Sequence, residues 1–257
     1  MVGVTRITVQ SSIEHKENQI TEAARVSARK APRPLYFLYC VAVFLPMGLT
    51  VLTVNLFLPS LRRRRAVAGR VSRAFLRVAG IPFAVEGLSL LPRTPCVVVA
   101  NHASYIDGLV AAAALPPDFA FVIKKEMVRV PLAGLLLRRL GSQFVERFDR
   151  HKGASDARRV LKLAAAGQSL VFFPEGTCNE IRQIGKFLGG AFATAARSGL
   201  PVVAVAIHGT REVLPTGAPW IYRRPIRVEI LEVMTAGDAK LRSRELISRA
   251  VGEPLAP

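Results

Sequence analysis

From residue 96 onward, short apolar runs that suit strands alternate with stretches of helical spacing. The strand-like runs are 96–100, 119–123, 143–146, 169–173 and 202–207, with a last, strictly alternating one at 227–233. Between them the spacing predicts helices over 105–115, closed by Pro116 and Pro117, over 127–140, interrupted by Pro131, and over 156–166. Two more are predicted at 186–197, stopped near Gly199, and at 239–251. Strand and helix in alternation predict an α/β fold, a single domain over residues 80–257 with a mostly parallel or mixed sheet.

Upstream the pattern changes. Residues 1–34 are polar, mixed in charge and without sustained periodicity, which predicts loose order or a surface helix. Residues 35–58 then carry no charge at all, and 24 residues of helix reach about 36 Å, enough to cross a bilayer. Residues 35–60 are therefore read as a membrane anchor. Both flanks are basic, with Arg25, Arg29, Lys30 and Arg33 before and Arg62, Arg63, Arg64 and Arg65 after, so a single span leaves one cluster on the disfavoured face. Pro46 and Gly48 divide the segment into halves of about 15 Å each, and a re-entrant hairpin would keep both flanks cytoplasmic. Span and hairpin both stand, each with the domain over residues 80–257 on the cytoplasmic side. In 61–79, Val67, Val71, Phe75 and Val78 fall on one helical face, with Arg70, Arg73 and Arg77 mainly around the other. That pattern predicts a basic amphipathic helix at the headgroup level; an ordinary packing helix is the plainer alternative.

The candidate chemistry lies where strands end. His102 and Asp107 are five residues apart, about 140° around a regular helix, so they meet only if His102 lies in the turn before the helix. Ser104 as N-cap and Asp107 three positions on have capping-box spacing, which turns the carboxylate back toward His102. A carboxylate on one imidazole nitrogen fixes the tautomer and leaves the other nitrogen as a base. No serine or cysteine is placed on that base by spacing, so the nucleophile is expected to come with the substrate, as a bound hydroxyl attacking an acyl thioester. A second block, residues 173–177 (FPEGT), ends the strand at 169–173 and puts Glu175 at its carboxyl end, where open α/β sheets place ligands.

Together, NHASYID at 101–107 and FPEGT at 173–177 resemble the blocks of the glycerophospholipid acyltransferase family, whose best-known members are 1-acylglycerol-3-phosphate acyltransferases. The first block matches at Asn101, His102 and Asp107; GSQFVER at 141–147 is similar to the second, and LPVVAVAI at 200–207 to the fourth. The resemblance covers about residues 80–235 and implies His102 and Asp107 as catalytic pair, with Arg147, Glu175, Gly176 and Thr177 binding substrate; Lys124 is a further substrate-binding candidate, outside the blocks. It further implies acyl-CoA or acyl-ACP as donor, no bound cofactor, and a lysolipid acceptor, first of all 1-acyl-sn-glycerol-3-phosphate. Two positions depart from the family: Cys178 stands where an arginine commonly follows EGT, and Ala204 where the fourth block has a second proline. Losing that arginine removes a cation for an acceptor phosphate, which keeps lyso-ornithine lipid and other lysolipids open as acceptors. Arg147, Arg182, Lys186 or the pair Lys124 and Lys125 are the candidate replacements. Oxyanion donors are expected from the backbone around Gly176, because an ionised Glu175 has none to give; Glu175 either orders that loop or binds an acceptor hydroxyl.

Charge and cysteine content narrow the partners. A net charge of +18 would suit a nucleic-acid binder. With only 7% aromatic residues, no nucleic-acid-binding signature and much of the charge around the apolar segment, an anionic lipid surface and the phosphates of coenzyme A or acyl carrier protein explain it better. The three cysteines have neither metal nor disulfide spacing, and His15, His151 and His208 lack clustered acidic or cysteine partners, so no metal site is expected. Cys178 near a catalytic histidine could carry an acyl-enzyme; a small side chain filling a loop is the plainer reading. A lipid-binding protein without turnover is the non-enzymatic rival.

Overall fold

The structure, a computed structural model, describes residues 34–146, 150–178 and 180–257. Seven strands form one sheet: β1 (Phe83–Glu86), β2 (Val97–Ala100), β3 (Phe119–Lys124), β4 (Gln143–Val145), β5 (Ser169–Phe172), β6 (Val202–His208) and β7 (Ile226–Met234). Their spatial order is β1-β7-β6-β2-β5-β3-β4, and every pairing is parallel except β6 with β7. The mixed α/β sheet is thus the one that the alternation predicts. Strand β1 is not among the strand-like runs, since four residues are too few for alternation to signal a strand; it pairs with β7, more than a hundred residues away.

Central β2 shows why the sheet needs cover on both faces. All four residues, VVVA, are buried. Val98 and Ala100 enter a core with Leu76, Val110 and Ala113, while Val97 and Val99 enter a second core with Phe192, Ala195 and Ile247. Alternating side chains point to opposite faces, so a strand buried on both sides reads as a continuous apolar run. The first face is covered by α1 (Pro34–Phe57), α2 (Leu61–Val78) and α3 (Asp107–Ala114). The second is covered by α6 (Gly190–Ser198) and α8 (Ala239–Val251), with α5 (Arg150–Ala165) packing Val160 and Ala164 against β3 and β5. Short α4 (Ala133–Arg139) follows Pro131, and α7 (Thr210–Val213) follows β6.

Helix α1 runs unbroken through Pro46, so the hairpin alternative has no turn at residues 46–48 in this structure. Proline removes one intrahelical hydrogen bond and strains the preceding turn. Here the helix is held from outside at both ends. Tyr36 and Tyr39 donate to the carbonyls of Ala79 and Val78, each at 2.8 Å, and Arg139 donates to the terminal carbonyls of Asn55 and Leu56. It is long and apolar enough to cross a membrane by length and composition, and its outward face carries Leu35, Leu38, Leu45, Leu49 and Phe57, all exposed. Helix α2 packs between α1 and α3, so closely that a Cβ on Gly69 would lie 2.6 Å from the Ala112 carbonyl oxygen. Several of its arginines turn inward: Arg64 donates to Leu58 and Arg139 carbonyls, Arg65 to those of Leu140 and Asp118, and Arg73 to that of Ala113. The basic face predicted to meet headgroups is in part a set of braces between helices.

Candidate active site

His102 follows β2 directly, at the carboxyl end of the sheet, and its neighbours fix the turn. Both ends of the Asn101 amide bond the Ile207 backbone, donating at 2.9 Å and accepting at 2.8 Å, which ties the turn to β6. The Ser104 hydroxyl donates to the Leu214 carbonyl at 2.7 Å. Helix α3 begins at Asp107 rather than at residue 105, with Ile106 and not Ser104 as its N-cap, so the expected capping box does not form; the Asp107 carboxylate still folds back onto the turn. Its Oδ2 accepts the N–H of Ala103 at 2.7 Å and of Ser104 at 2.8 Å, and meets His102 Nδ1 at 2.9 Å. Three donors converge on one oxygen of a fully buried side chain, so the carboxylate has no freedom to leave the ring.

Phe173 stacks on the imidazole with ring centroids 4.6 Å apart. The Cys178 sulfur lies 3.3 Å from Nε2 and 3.5 Å from Nδ1. A sulfur nearly equidistant from both nitrogens sits over the ring, because the Cε1–H lies between them in the ring plane. Cys178 is therefore more than loop filling, yet it is off the in-plane direction in which Nε2 accepts a proton. Burial alone would lower the pKa of His102, but the hydrogen bond to Asp107 and the neighbouring Cys178 outweigh it and push the value up to about 9. The resting site therefore holds an imidazolium at neutral pH, and the base form grows as pH rises through about 9.

Glu175 reaches the same turn from β5. Its Oε1 accepts the backbone N–H of His102 at 2.7 Å and its Oε2 that of Gly185 at 2.8 Å, so the side chain orders both loops. Burial raises its pKa and the two N–H donors oppose the rise. Gly176, with φ of 83°, is in the left-handed region that favours glycine, and its N–H closes a turn onto the Phe173 carbonyl at 3.0 Å. The Gly176 N–H is thus engaged within its own turn. Thr177 is exposed on the same turn.

The cations are spread along the sheet's carboxyl edge. Lys124 ends β3, exposed; because Val122 pairs with Phe172, Lys124 comes level with Pro174, two strands and about 10 Å from β2. Arg147 lies outside the described residues. Arg182 is held by Glu212 in an ion pair, and Lys186 is exposed. Among the described residues, no group of three histidine, cysteine or acidic side chains is placed to hold a metal ion.

A feature the sequence did not reveal is an apolar cavity of about 300 Å³ between α2, α3 and β3. Its lining includes Phe173, which stacks on His102, and Gly108, the chain neighbour of Asp107, together with Gly69, Ala112, Phe121 and Leu140. Its walls come from four elements distant in sequence, and no local pattern marks them.

Three comparisons bear on this site. The profile of a family described as acyltransferase matches residues 82–208, which include both blocks. A 1-acyl-sn-glycerol-3-phosphate acyltransferase of Pseudomonas aeruginosa is 31% identical over 175 residues, 67% of either chain. A chloroplastic 1-acyl-sn-glycerol-3-phosphate acyltransferase of Brassica napus is 32% identical over 62% of this chain, which spans only 48% of that relative's length. A lyso-ornithine lipid O-acyltransferase, also from Pseudomonas aeruginosa, is 34% identical over 56% of this chain and 55% of its own. In fold, the crystal structure of the 1-acyl-sn-glycerophosphate acyltransferase of Thermotoga maritima superposes with a TM-score of 0.68, covering 85% of this chain and 92% of that one at 24% identity.

Proposed function

This chain belongs to the acyltransferase family, and from that premise we propose that it moves an acyl group from an acyl thioester to the free hydroxyl of a lysolipid. The observation that carries the reading is the His102–Asp107 pair, a ring fixed by a buried carboxylate and stacked on Phe173, which lines an apolar cavity. The acyl chain lies in that cavity, with the thioester carbonyl at Phe173. The neutral His102 ring takes the proton of the acceptor hydroxyl through Nε2 as the oxygen attacks the carbonyl carbon. The carbon–sulfur bond then breaks, and the departing thiolate recovers the proton from the imidazolium. Asp107 holds the ring and stabilises its protonated form. Glu175 positions the His102 backbone, and the donor is acyl-CoA or acyl-ACP with no resident cofactor.

The first acceptor is 1-acyl-sn-glycerol-3-phosphate, giving phosphatidic acid, with Lys124 and Arg147 toward the phosphate and Gly176 and Thr177 shaping the loop beside it. Cys178 in the arginine position favours a second reading, lyso-ornithine lipid as acceptor, and the relative with that name supports it. The exposed apolar face of α1 holds the site at a membrane, on the cytoplasmic side. The test is product formation by detergent-purified protein given acyl-CoA or acyl-ACP with each acceptor in parallel. Product on lysophosphatidic acid supports the first reading, and product only on lyso-ornithine lipid the second. Lipid binding without turnover on any lysolipid would mean the non-enzymatic rival.

A further inference from the structure

Between β5 and α6 the chain crosses residues 180–189 without a helix or strand of its own, yet Gly185 in this stretch supplies one of the two donors on Glu175. Its placement is tight: a Cβ at Gly185 would lie 2.9 Å from Glu175 Oε2. Something outside the loop must hold it, and three contacts do. Ile184 is 1% exposed and packs into the core under β2. Its backbone pairs with residues further along the chain, the Ile184 N–H donating to the Pro254 carbonyl at 2.8 Å and the Ile184 carbonyl accepting the Ala256 N–H at 2.9 Å. Arg244, on α8, then closes the arrangement: Nε donates to the Gly185 carbonyl at 2.8 Å, and Nη2 to those of Ile184 at 3.0 Å and Ala256 at 2.5 Å.

The Ile184 carbonyl and the Gly185 N–H belong to one peptide unit. The guanidinium therefore bonds the oxygen of the amide whose N–H bonds Glu175 Oε2, and Glu175 Oε1 in turn holds the N–H of His102. A cation on an amide oxygen polarises the group and strengthens its N–H as a donor. We propose that Arg244 is a positioning residue of the active site, acting through the 184–185 peptide and Glu175 on the backbone of His102. This rests on the function proposed above. Arg244 touches no reacting atom; what it supplies is a charged, forked brace that one lysine ammonium cannot copy across three carbonyls.

A double-mutant cycle on the full chain tests it, comparing wild type, Arg244→Met, Glu175→Gln and the double variant, with kcat, KM and melting temperature for each. Arg244→Met is expected to lower kcat about tenfold with little change in acceptor KM. In the Glu175→Gln background, where the carboxylate that receives the relay is gone, the same change should cost less than about twofold. Arg244→Lys should recover only part of kcat, and it carries the cycle if the methionine variant does not fold. An equal loss of kcat in both backgrounds, or no loss in either, overturns the proposal. Absence of turnover in wild type on every acceptor would instead sink the function on which it rests.

Discussion

At the residue scale, the site is a set of backbone N–H groups arranged around two carboxylates, and only one of the two was legible. The fold of Asp107 onto the turn is a local contact, since the amides of Ala103 and Ser104 that it accepts lie four and three residues away, although Ile106 and not Ser104 is the N-cap. The role of Glu175 was left open between loop ordering and substrate binding, since its partners, the amides of His102 and Gly185, are 73 and 10 residues away. The protonation of His102 gives a prediction with two opposite signs. A pKa raised from the usual histidine range to about 9 adds stability below about 6.5, and that contribution is lost as pH rises to about 9. Acyl transfer needs the neutral ring, so kcat/KM should rise with pH toward a limb near 9 while the melting temperature falls across the same window. Cys178 contributes to the raised value, so Cys178→Ala should keep turnover and move the limb to lower pH. Loss of turnover in that variant, with an acyl adduct trapped on the wild-type thiol, would replace direct transfer by an acyl-enzyme.

At the element scale, the strands and helices that cover the sheet follow from periodicity, whereas the space between them does not. Each of the six strand-like runs became a strand, and residues 239–251 became α8 as predicted. Pro46 shows the limit of a local rule: it marks a break only when nothing else holds the helix, and here Tyr36, Tyr39 and Arg139 hold both ends. The cavity between α2, α3 and β3 arises because Gly69 lets α2 approach the Ala112 carbonyl while Gly108 leaves room one turn earlier. A Cβ at Gly108 would meet nothing within 4 Å. Gly108→Leu should therefore fold, with some gain in helix propensity, and shorten the cavity. Measured across donors of increasing acyl length, kcat/KM should fall by about tenfold or more for long chains and much less for short ones, since each buried methylene carries about 0.8 kcal/mol. An equal effect on all lengths would place the acyl chain elsewhere.

For the whole molecule, the arrangement joins three functions in one direction. The apolar face of α1 looks outward, α2 binds α1 to the sheet layer through its arginines, and the cavity beneath α2 is lined by Phe173, which stacks on His102. The architecture was legible because a buried parallel sheet leaves near-continuous apolar runs. The brace from Arg244 was not, because it spans α8, the 184–185 peptide and β5, and long-range hydrogen bonds to backbone leave no trace in composition. The central claim is that the neutral imidazole of His102 performs the transfer, and the most direct test is the rate of acyl transfer by His102→Ala beside wild type, with vesicle flotation of both. The account predicts that the variant floats with the vesicles as wild type does and forms product at least about a thousandfold more slowly. Turnover within about tenfold of wild type would contradict it.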